Sequence, residues 1–192
     1  MADLAAVAQL LARGEIACVP TETSYGLAVD AGNPDAVDAL VELKGRTEGM
    51  PIAVIAADIA QARSLSSAWL PSAEALASEH WPGPLTLVVA AADGLPTPLV
   101  GPLGVGVRVS SHPWCRAIAA ALGRPITATS ANPSGQPAAT SVAIARGYFG
   151  ERVSLYLDGG ESEPGPPSTV VAIEPNGAMT VLRAGAVEVT QR

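Results

Sequence analysis

Several residue types on which whole protein classes depend are scarce in this sequence. Its 192 residues include two cysteines, two histidines, one phenylalanine and one lysine. Cys18 and Cys115 lie far apart, without a Cys-x-x-Cys or Cys/His cluster, so neither a disulfide framework nor a structural zinc site is expected. No apolar stretch approaches the ~20 residues that span a bilayer, so no membrane partner is expected. The N-terminus lacks a basic region before its short apolar run, which predicts a cytoplasmic protein without a signal peptide.

Positive charge is also scarce. Eighteen acidic side chains outnumber eleven basic ones, and the formal net charge is −7. Proteins that bind nucleic acids gain much of their affinity by neutralising phosphates, so direct RNA or DNA binding is expected to be weak or absent. A local basic pocket for a small anion remains open, which makes each basic residue informative. With 48% hydrophobic and 15% charged residues, the chain is expected to form one domain over residues 1–192.

Helical and extended patterns alternate along the chain. Asp3 and Asn33 are predicted N-caps, and Pro34 is typical of the first helical position. Helices are predicted over 4–13, 34–44, 58–64, 71–80, 113–122 and 141–148. Strands are predicted over 16–19, 52–56, 85–90, 105–109, 126–128, 153–157, 169–173 and 179–182, with a polar loop over 20–26. Because the alternation gives way to strands near the end, the pattern predicts an α/β fold with a mixed parallel and antiparallel sheet.

Motifs of several enzyme classes are missing. Lys44 is not preceded by the glycines of a phosphate-binding P-loop. The glycines within 101–106 match a dinucleotide fingerprint only loosely, because no helix follows them directly. No Gly-x-Ser-x-Gly elbow is present, and the two histidines offer little for a catalytic triad. We interpret His112, which precedes Pro113, as a helix cap.

The single lysine stands two residues before an arginine, in Lys44-Gly45-Arg46, whereas the other basic residues of the chain are all arginines. Arginine is a planar fork suited to bidentate contacts, while lysine is a compact point charge on a flexible stem. One interpretation is that Lys44 was selected for a function. The alternative is that it ends a helix, where any cation interacts favourably with the helix dipole.

Polar residues concentrate in four clusters at strand ends or in loops, where the sites of open α/β sheets are found. These clusters are 20–26, 44–46, 130–135 with Thr140 close behind, and 168–171 with 183–185 further on. Dense hydroxyls after a buried strand can bind an amino acid or a phosphate, although Thr and Ser also favour turns. Taken singly, each cluster is a weak signal.

In this order the clusters resemble the YrdC-like family, the threonylcarbamoyl-AMP synthases, over about 19–185. The resemblance rests on Pro-Thr-Glu-Thr-x-Tyr-Gly-Leu at 20–27, Trp-Pro-Gly-Pro-Leu-Thr at 81–86 and Ser-Ala-Asn-x-Ser-Gly at 130–135. It implies an open, twisted sheet around a deep, locally positive groove. We interpret the turn at 81–84 as structural, with Trp81 in the core.

The resemblance also implies a nucleotidyltransferase reaction. L-Threonine, bicarbonate and ATP would give L-threonylcarbamoyl-adenylate and pyrophosphate, and separate transferase proteins would use the adenylate to modify a tRNA adenosine. Two anions must be brought together, so the protein has mainly to position them and neutralise charge. Mg²⁺ is expected with ATP, held by phosphates and water rather than by dedicated protein ligands.

Site residues follow from the same resemblance. Lys44 and Arg46 would be catalytic and grip the triphosphate from a solvent-facing groove. Arg108 would hold the threonine carboxylate through a bidentate contact. The other contacts implied are Thr23, Ser130 and Ser168 to threonine, and Asn132, Thr140 and Arg183 to the nucleotide.

The chain departs from the family pattern at two positions, and it resembles the short form of the family, so the extra C-terminal domain of longer members is not expected. Met50 stands where many members have Asn, and Ile55 where many have His; Met50 cannot donate the hydrogen bonds of an amide. Two alternatives therefore stay open. One is a protein of the same fold that binds RNA or a nucleotide without this activity, and the other is a carbamoyl-handling hydrolase or transferase.

Overall fold

A mixed β-sheet with helices on both faces organises the chain in the computed structural model, which describes residues 4–45, 50–162 and 165–189. The helices are α1 (Leu4–Ala12), α2 (Pro34–Lys44), α3 (Ile59–Arg63), α4 (Pro71–His80), α5 (Pro113–Leu122) and α6 (Val142–Phe149). The strands are β1 (Ala17–Pro20), β2 (Tyr25–Ala28), β3 (Ala53–Ile55), β4 (Ser66–Ala68), β5 (Leu85–Ala91), β6 (Val100–Gly101), β7 (Gly104–Arg108), β8 (Ile126–Ser130), β9 (Leu155–Tyr156), β10 (Thr169–Ile173) and β11 (Met179–Arg183). Two 3₁₀ turns lie at Thr97–Leu99 and Gly150–Arg152.

The sheet is open and mixed, which confirms the predicted fold class. Its strand order is β11-β10-β5-β7-β3-β8-β2-β1-β9, with β4 beside β5 and β6 beside β7. The pairs β1–β9, β5–β10 and β3–β7 are parallel, and the remaining pairs are antiparallel. Among the described residues, no helix combines the length and apolar composition that crossing a bilayer requires.

The central strands send alternate side chains to opposite faces, and the two faces differ in what covers them. On β5, Leu85 and Leu87 are buried in the larger core cluster, together with apolar residues of α2, α4 and α6. Ile55 of β3 and Ile126 of β8 point the other way, into a smaller cluster with α1 and α5. These two helices pack on each other, and α5 also contacts β1 and β3.

Most element bounds follow the sequence signals closely. Helices predicted over 71–80 and 113–122 and the strand over 169–173 have those limits in the structure. The side chain of Asn33 accepts a hydrogen bond from the Ala36 amide at 3.3 Å, which confirms the predicted cap of α2. Gly45, with φ of 58°, ends that helix in the left-handed conformation that glycine adopts readily. The predicted cap Asp3 lies outside the described residues.

Three short features depart from the prediction. The loop over 20–26 is shorter than expected, because β2 already begins at Tyr25. Strand β4 consists of serine and alanine, which have little tendency to form strands, and β6 occupies two residues of a Gly/Pro-rich loop. Both are set by pairing with a longer neighbour, a long-range effect that local sequence does not reveal.

Candidate active site

A cavity of about 550 Å³ opens on the face of the sheet to which Ile55 points. This volume falls within the range of small-molecule sites. Its floor is made by alternate residues of three adjacent strands, namely Thr86 and Val88 of β5, Gly104, Gly106 and Arg108 of β7, and Ala53 and Ile55 of β3. The residues between them, such as Leu87 and Val107, are buried in the core behind the sheet. Strand alternation thus separates the site from the core.

Small residues on β7 keep this floor open. A Cβ added to Gly106 would lie 3.3 Å from Cβ of Ala53 and 3.5 Å from Cγ2 of Thr86, so a larger side chain would project into the cavity. Gly104 has φ of 115°, and a Cβ there would collide with the carbonyl of Val89. The glycines that loosely matched a dinucleotide fingerprint therefore belong to a strand. Gly104 allows the close approach of the Val89 backbone, and Gly106 leaves space above the cavity floor.

Arg108 lies at one end of the floor, and a carboxylate holds it. Nη1 of Arg108 donates to Oε1 of Glu22 at 2.8 Å, and the hydroxyl of Ser110 donates to Oε2 of Glu22 at 2.6 Å. The side chains of Arg108 and Glu22 are only 10% and 13% exposed. Arg108 lines the cavity, whereas Glu22 stands behind it. The guanidinium is thus fixed from the rear.

A second arginine stands at the cavity rim on β11. Arg183 donates through Nη2 to the carbonyl of Ser168 at 2.8 Å and to its hydroxyl at 3.0 Å. The Ser168 hydroxyl lies 3.0 Å from that of Thr86, so three side chains form one polar cluster. Partial burial, and after it the charge of Arg108, lowers the pKa of Arg183.

The charge of the cavity wall is positive. Within residues 4–45, 50–162 and 165–189, Arg183 has no carboxylate at ion-pair distance, and Arg108 shares its charge with Glu22 alone. The chain as a whole carries −7, so this is a local reversal of sign. Such a cavity favours an anionic ligand.

Lys44 is buried, which corrects the expectation of a solvent-facing groove. Its ammonium donates to the carbonyls of Ser130 at 2.5 Å and Asn132 at 2.8 Å, and the residue is 4% exposed. Its own carbonyl accepts from the Ser134 amide at 3.0 Å. Burial is tolerated because carbonyl oxygens replace water around the ammonium. Lys44 is the last residue of α2, as the helix-end interpretation required.

Two other predicted nucleotide contacts, Asn132 and Thr140, do not line the cavity, and Asn132 lies beside Lys44. Asn132 donates from its amide nitrogen to the carbonyls of Pro133 at 3.0 Å and Gln136 at 2.7 Å, which ties its own loop. Its Oδ1 is buried and has no hydrogen-bond partner among the described residues. Thr140 accepts from the Ser162 amide through its carbonyl. Arg46, predicted to grip the triphosphate, lies outside the described residues.

Tyr25 ties two loops at the cavity. Its hydroxyl donates to the carbonyl of Gly160 at 2.7 Å and accepts from the Gly159 amide at 2.9 Å. Thr21 closes the preceding turn by donating to the carbonyl of Ser24 at 2.7 Å. The loop that presents Thr23 to the cavity is therefore held from both sides.

The departures from the family pattern lie in different environments. Ile55 is 1% exposed and contributes to the cavity lining, whereas Met50 is 62% exposed. Trp81 is buried and donates from Nε1 to the carbonyl of Leu85 at 2.7 Å, which confirms its predicted place in the core.

The thiols and His112 are poor candidates for nucleophiles or bases. Burial raises the pKa of Cys18 and of Cys115 to about 12, so both are protonated at neutral pH. His112 occupies the N-cap position of α5, but its side chain makes no capping hydrogen bond, which corrects the predicted role. Burial lowers the pKa of His112, so the ring is neutral at neutral pH.

The structure brings together one group of the predicted site residues and separates another. Those that line the cavity are Thr23, Arg108, Ser130, Ser168 and Arg183. Those described but not lining it are Lys44, Asn132 and Thr140. Glu22 and Thr86 were missed as parts of the site. Both lay inside motifs that had been singled out, Glu22 within 20–27 and Thr86 at the end of 81–86, but neither residue was assigned a role in the site.

Comparison with known proteins gives concordant matches. The family model Sua5/YciO/YrdC, described as "Telomere recombination", matches residues 9–185. Threonylcarbamoyl-AMP synthase of Bacillus subtilis is 37% identical over 172 residues, covering 88% of this chain and 50% of that protein. The enzyme of the same name from Marinobacter nauticus is 33% identical over 173 residues, covering 89% of this chain and 91% of that protein.

A solved structure agrees with these matches. The crystal structure of Pyrococcus abyssi Sua5 complexed with L-threonine superposes with a TM-score of 0.88 and 35% identity, covering 95% of this chain and 54% of that one. The chain thus spans about half the length of the Bacillus and Pyrococcus proteins, and nine-tenths of the Marinobacter protein.

Proposed function

This chain belongs to the Sua5/YciO/YrdC family, and we propose that it makes L-threonylcarbamoyl-adenylate and pyrophosphate from L-threonine, bicarbonate and ATP. The observation that carries the proposal is the cavity in which Arg108 and Arg183 create a positive wall on an acidic protein. Every proposed reactant except the free amino acid is anionic, and the amino acid contributes a carboxylate. A positive, partly enclosed cavity suits this set of ligands.

The proposed reaction needs no covalent intermediate with the protein. The threonine amine adds to the carbon of bicarbonate and water leaves, which gives a carbamate. A carbamate oxygen then attacks the α-phosphorus of ATP, and the bond from that phosphorus to the bridging oxygen breaks, releasing pyrophosphate. The protein contributes by aligning two anions and offsetting their charge. The buried, protonated thiols of Cys18 and Cys115 are consistent with this mode of catalysis.

The threonine end of the cavity is proposed at Arg108. Its guanidinium presents the planar geometry that pairs with a carboxylate. Thr23, Ser130 and Ser168 line the same cavity and offer hydroxyls to the rest of the amino acid. The apolar surface of Ile55 supplies a floor rather than a hydrogen bond.

The nucleotide end is proposed around Arg183 and the loop over 130–140, and Arg46 is proposed to bind the triphosphate. Lys44 acts there by shaping that loop, because its ammonium binds two carbonyls of the loop. In the described part of the chain, no group of three or more His, Cys, Asp and Glu side chains is placed to hold a metal ion. We propose that Mg²⁺ enters with ATP and is bound by phosphates and water, because Mg²⁺ dehydrates reluctantly and prefers phosphate oxygens.

The product is proposed to pass, in the cytoplasm, to separate transferase proteins that modify tRNA. The net charge of −7 argues that this chain itself binds tRNA weakly or not at all.

The test is pyrophosphate release from ATP with L-threonine and bicarbonate, each omitted in turn. Release that needs all three reactants supports the proposal. Release that is indifferent to threonine and occurs with carbamoyl phosphate would instead indicate a carbamoyl-handling enzyme. No release, together with salt-sensitive binding of tRNA in a mobility-shift assay, would indicate a binding protein.

A matched pair of arginine variants tests whether the reaction takes place in this cavity. Arg183→Ala removes a charge from the rim and is expected to lower pyrophosphate release. Arg63→Ala removes an arginine that pairs with Glu74 on the surface, and it is expected to leave release unchanged. Equal effects of the two variants would argue against the cavity as the site.

A further inference from the structure

Glu22 does not line the cavity, yet it contacts the arginine that does. We infer that Glu22 is a positioning residue, which sets the affinity of the site for an amino-acid carboxylate by fixing the orientation of Arg108. This inference rests on the proposed function, because it takes the carboxylate of L-threonine as the ligand of Arg108.

Both oxygens of the Glu22 carboxylate are engaged, each by a different donor. Oε1 accepts from Nη1 of Arg108 at 2.8 Å, and Oε2 accepts from the hydroxyl of Ser110 at 2.6 Å. A carboxylate held at both oxygens cannot rotate, and a charge-assisted contact to it restricts the guanidinium in turn. With little exposure on either side chain, water competes weakly for these contacts.

Ser110 is itself held from the start of α5. It is fully buried, and its hydroxyl accepts from the His112 amide at 3.1 Å. Nη1 of Arg116 donates to the Ser110 carbonyl at 2.5 Å. The contacts therefore run in an unbroken series from α5 through Ser110 and Glu22 to Arg108. Such a series is the support that a precisely aimed binding group requires.

Removing the charge of Glu22 should change the affinity for a substrate carboxylate in opposite directions, depending on whether Glu22 positions Arg108 or acts only through its charge. If Glu22 acted only as a negative charge near the cavity, it would repel a substrate carboxylate, and removing its charge would tighten binding. If it positions Arg108, removing its charge weakens the contact that aims the guanidinium, and binding of the carboxylate weakens as well. A purely structural role would change the melting temperature without selectivity for the carboxylate.

Glu22→Gln is the decisive variant, because the amide keeps the shape of the side chain. Binding of L-threonine is measured by calorimetry, and KM and kcat by pyrophosphate release. We expect the Kd and KM for L-threonine to rise roughly tenfold, with KM for ATP and kcat changed by less than about twofold. Ser110→Ala is expected to raise the same two constants by a smaller factor. Unchanged or tighter binding of L-threonine by Glu22→Gln would overturn the inference.

Two controls keep the outcome interpretable. Asp30→Asn disturbs a similar pair, since Asp30 is 3% exposed and accepts from Arg124, and it is expected to leave KM for L-threonine unchanged. L-Threoninol lacks the carboxylate, so the wild-type protein is expected to bind it more weakly than L-threonine. This difference in affinity should disappear in Glu22→Gln and persist in Asp30→Asn. If circular dichroism shows that Glu22→Gln does not fold, Ser110→Ala takes its place. The quantity compared is then the ratio of the Kd for L-threoninol to the Kd for L-threonine.

The failure of this inference and that of the proposed function give different results. If the wild-type protein neither binds L-threonine nor releases pyrophosphate in response to it, the proposed function is wrong and the inference falls with it. If the wild-type protein does both and Glu22→Gln still prefers L-threonine to L-threoninol as strongly, only the role of Glu22 is wrong.

Discussion

The two faces of the sheet are built from the same strands and serve opposite purposes. On the face toward α2, α4 and α6, β5 and β7 contribute Leu85, Leu87, Val105 and Val107, which pack without exposure to solvent. On the other face the intervening residues of these two strands line the cavity, namely Thr86, Val88, Gly104, Gly106 and Arg108. α1 and α5 pack on part of this face, and the cavity occupies the part above Gly106. Along each of these strands, residues that pack in the core therefore alternate with residues that line the cavity.

Lys44 links the end of α2 to the loop at the cavity rim, and its loss should have the largest effect. Lys44→Ala removes the donor of two carbonyls in the loop at the cavity rim, and each unsatisfied carbonyl costs about 1–3 kcal/mol of unfolding free energy. We expect a fall of roughly a hundredfold in pyrophosphate release, about 2.7 kcal/mol of barrier. Both quantities are measurable, by urea unfolding and by the release assay.

Lys44→Arg is the informative companion. It keeps the charge, but a planar guanidinium does not replace a compact ammonium in a site that is 4% exposed. An intermediate loss of both stability and turnover is expected. Full activity in Lys44→Ala would show that the single lysine is not needed for the site.

Leu87→Ala should break the core face alone. Leu87 is fully buried, and removing its side chain is expected to cost about 2–5 kcal/mol of unfolding free energy. The KM values of the protein that remains folded should not change, since the residue points away from the cavity. A raised KM at temperatures well below the melting transition would mean that the faces are not independent.

Gly106→Val should do the reverse. A branched side chain would enter the space between Ala53 and Thr86 and occupy part of the cavity floor. We expect KM for a substrate to rise at least about tenfold, equivalent to 1.4 kcal/mol of binding. The melting temperature should fall less than in Leu87→Ala. The assay that checks this is pyrophosphate release over a range of ATP and L-threonine concentrations.

The core face could be predicted from sequence far better than the cavity face. Apolar alternation located β5, β7 and β10, and capping residues such as Asn33 located the helices. The polar motifs also pointed to the right loops. Local sequence could not reveal which distant residues these polar side chains would contact. Lys44 turns toward carbonyls 86 and 88 residues away, and Glu22 meets Arg108 only because β1 and β7 share one sheet.

Thr86→Val tests the polar cluster on the cavity face with a smaller expected effect. The variant keeps the shape of the side chain but removes its hydrogen bond to Ser168, which costs about 0.5–1.5 kcal/mol. Ser168 keeps its contact with Arg183, so the site should weaken rather than collapse. A several-fold rise in KM without a change in kcat is expected. A loss confined to kcat would indicate that Thr86 acts in the chemical step.

The pH dependence of stability tests the start of α5, where the smallest effect is expected. His112 begins α5, and burial, opposed by Glu22 and reinforced by Arg116, holds its pKa below the ordinary value of 6.5. The unfolded chain therefore binds a proton more readily than the folded protein. The contribution of His112 to stability is fully present above pH 6.5 and is lost as the pH falls below it. His112→Gln should lose less stability than wild type between about pH 8 and pH 5.5 in urea unfolding. If the free energies of unfolding of the variant and the wild type differ by the same amount at both pH values, this assignment is contradicted.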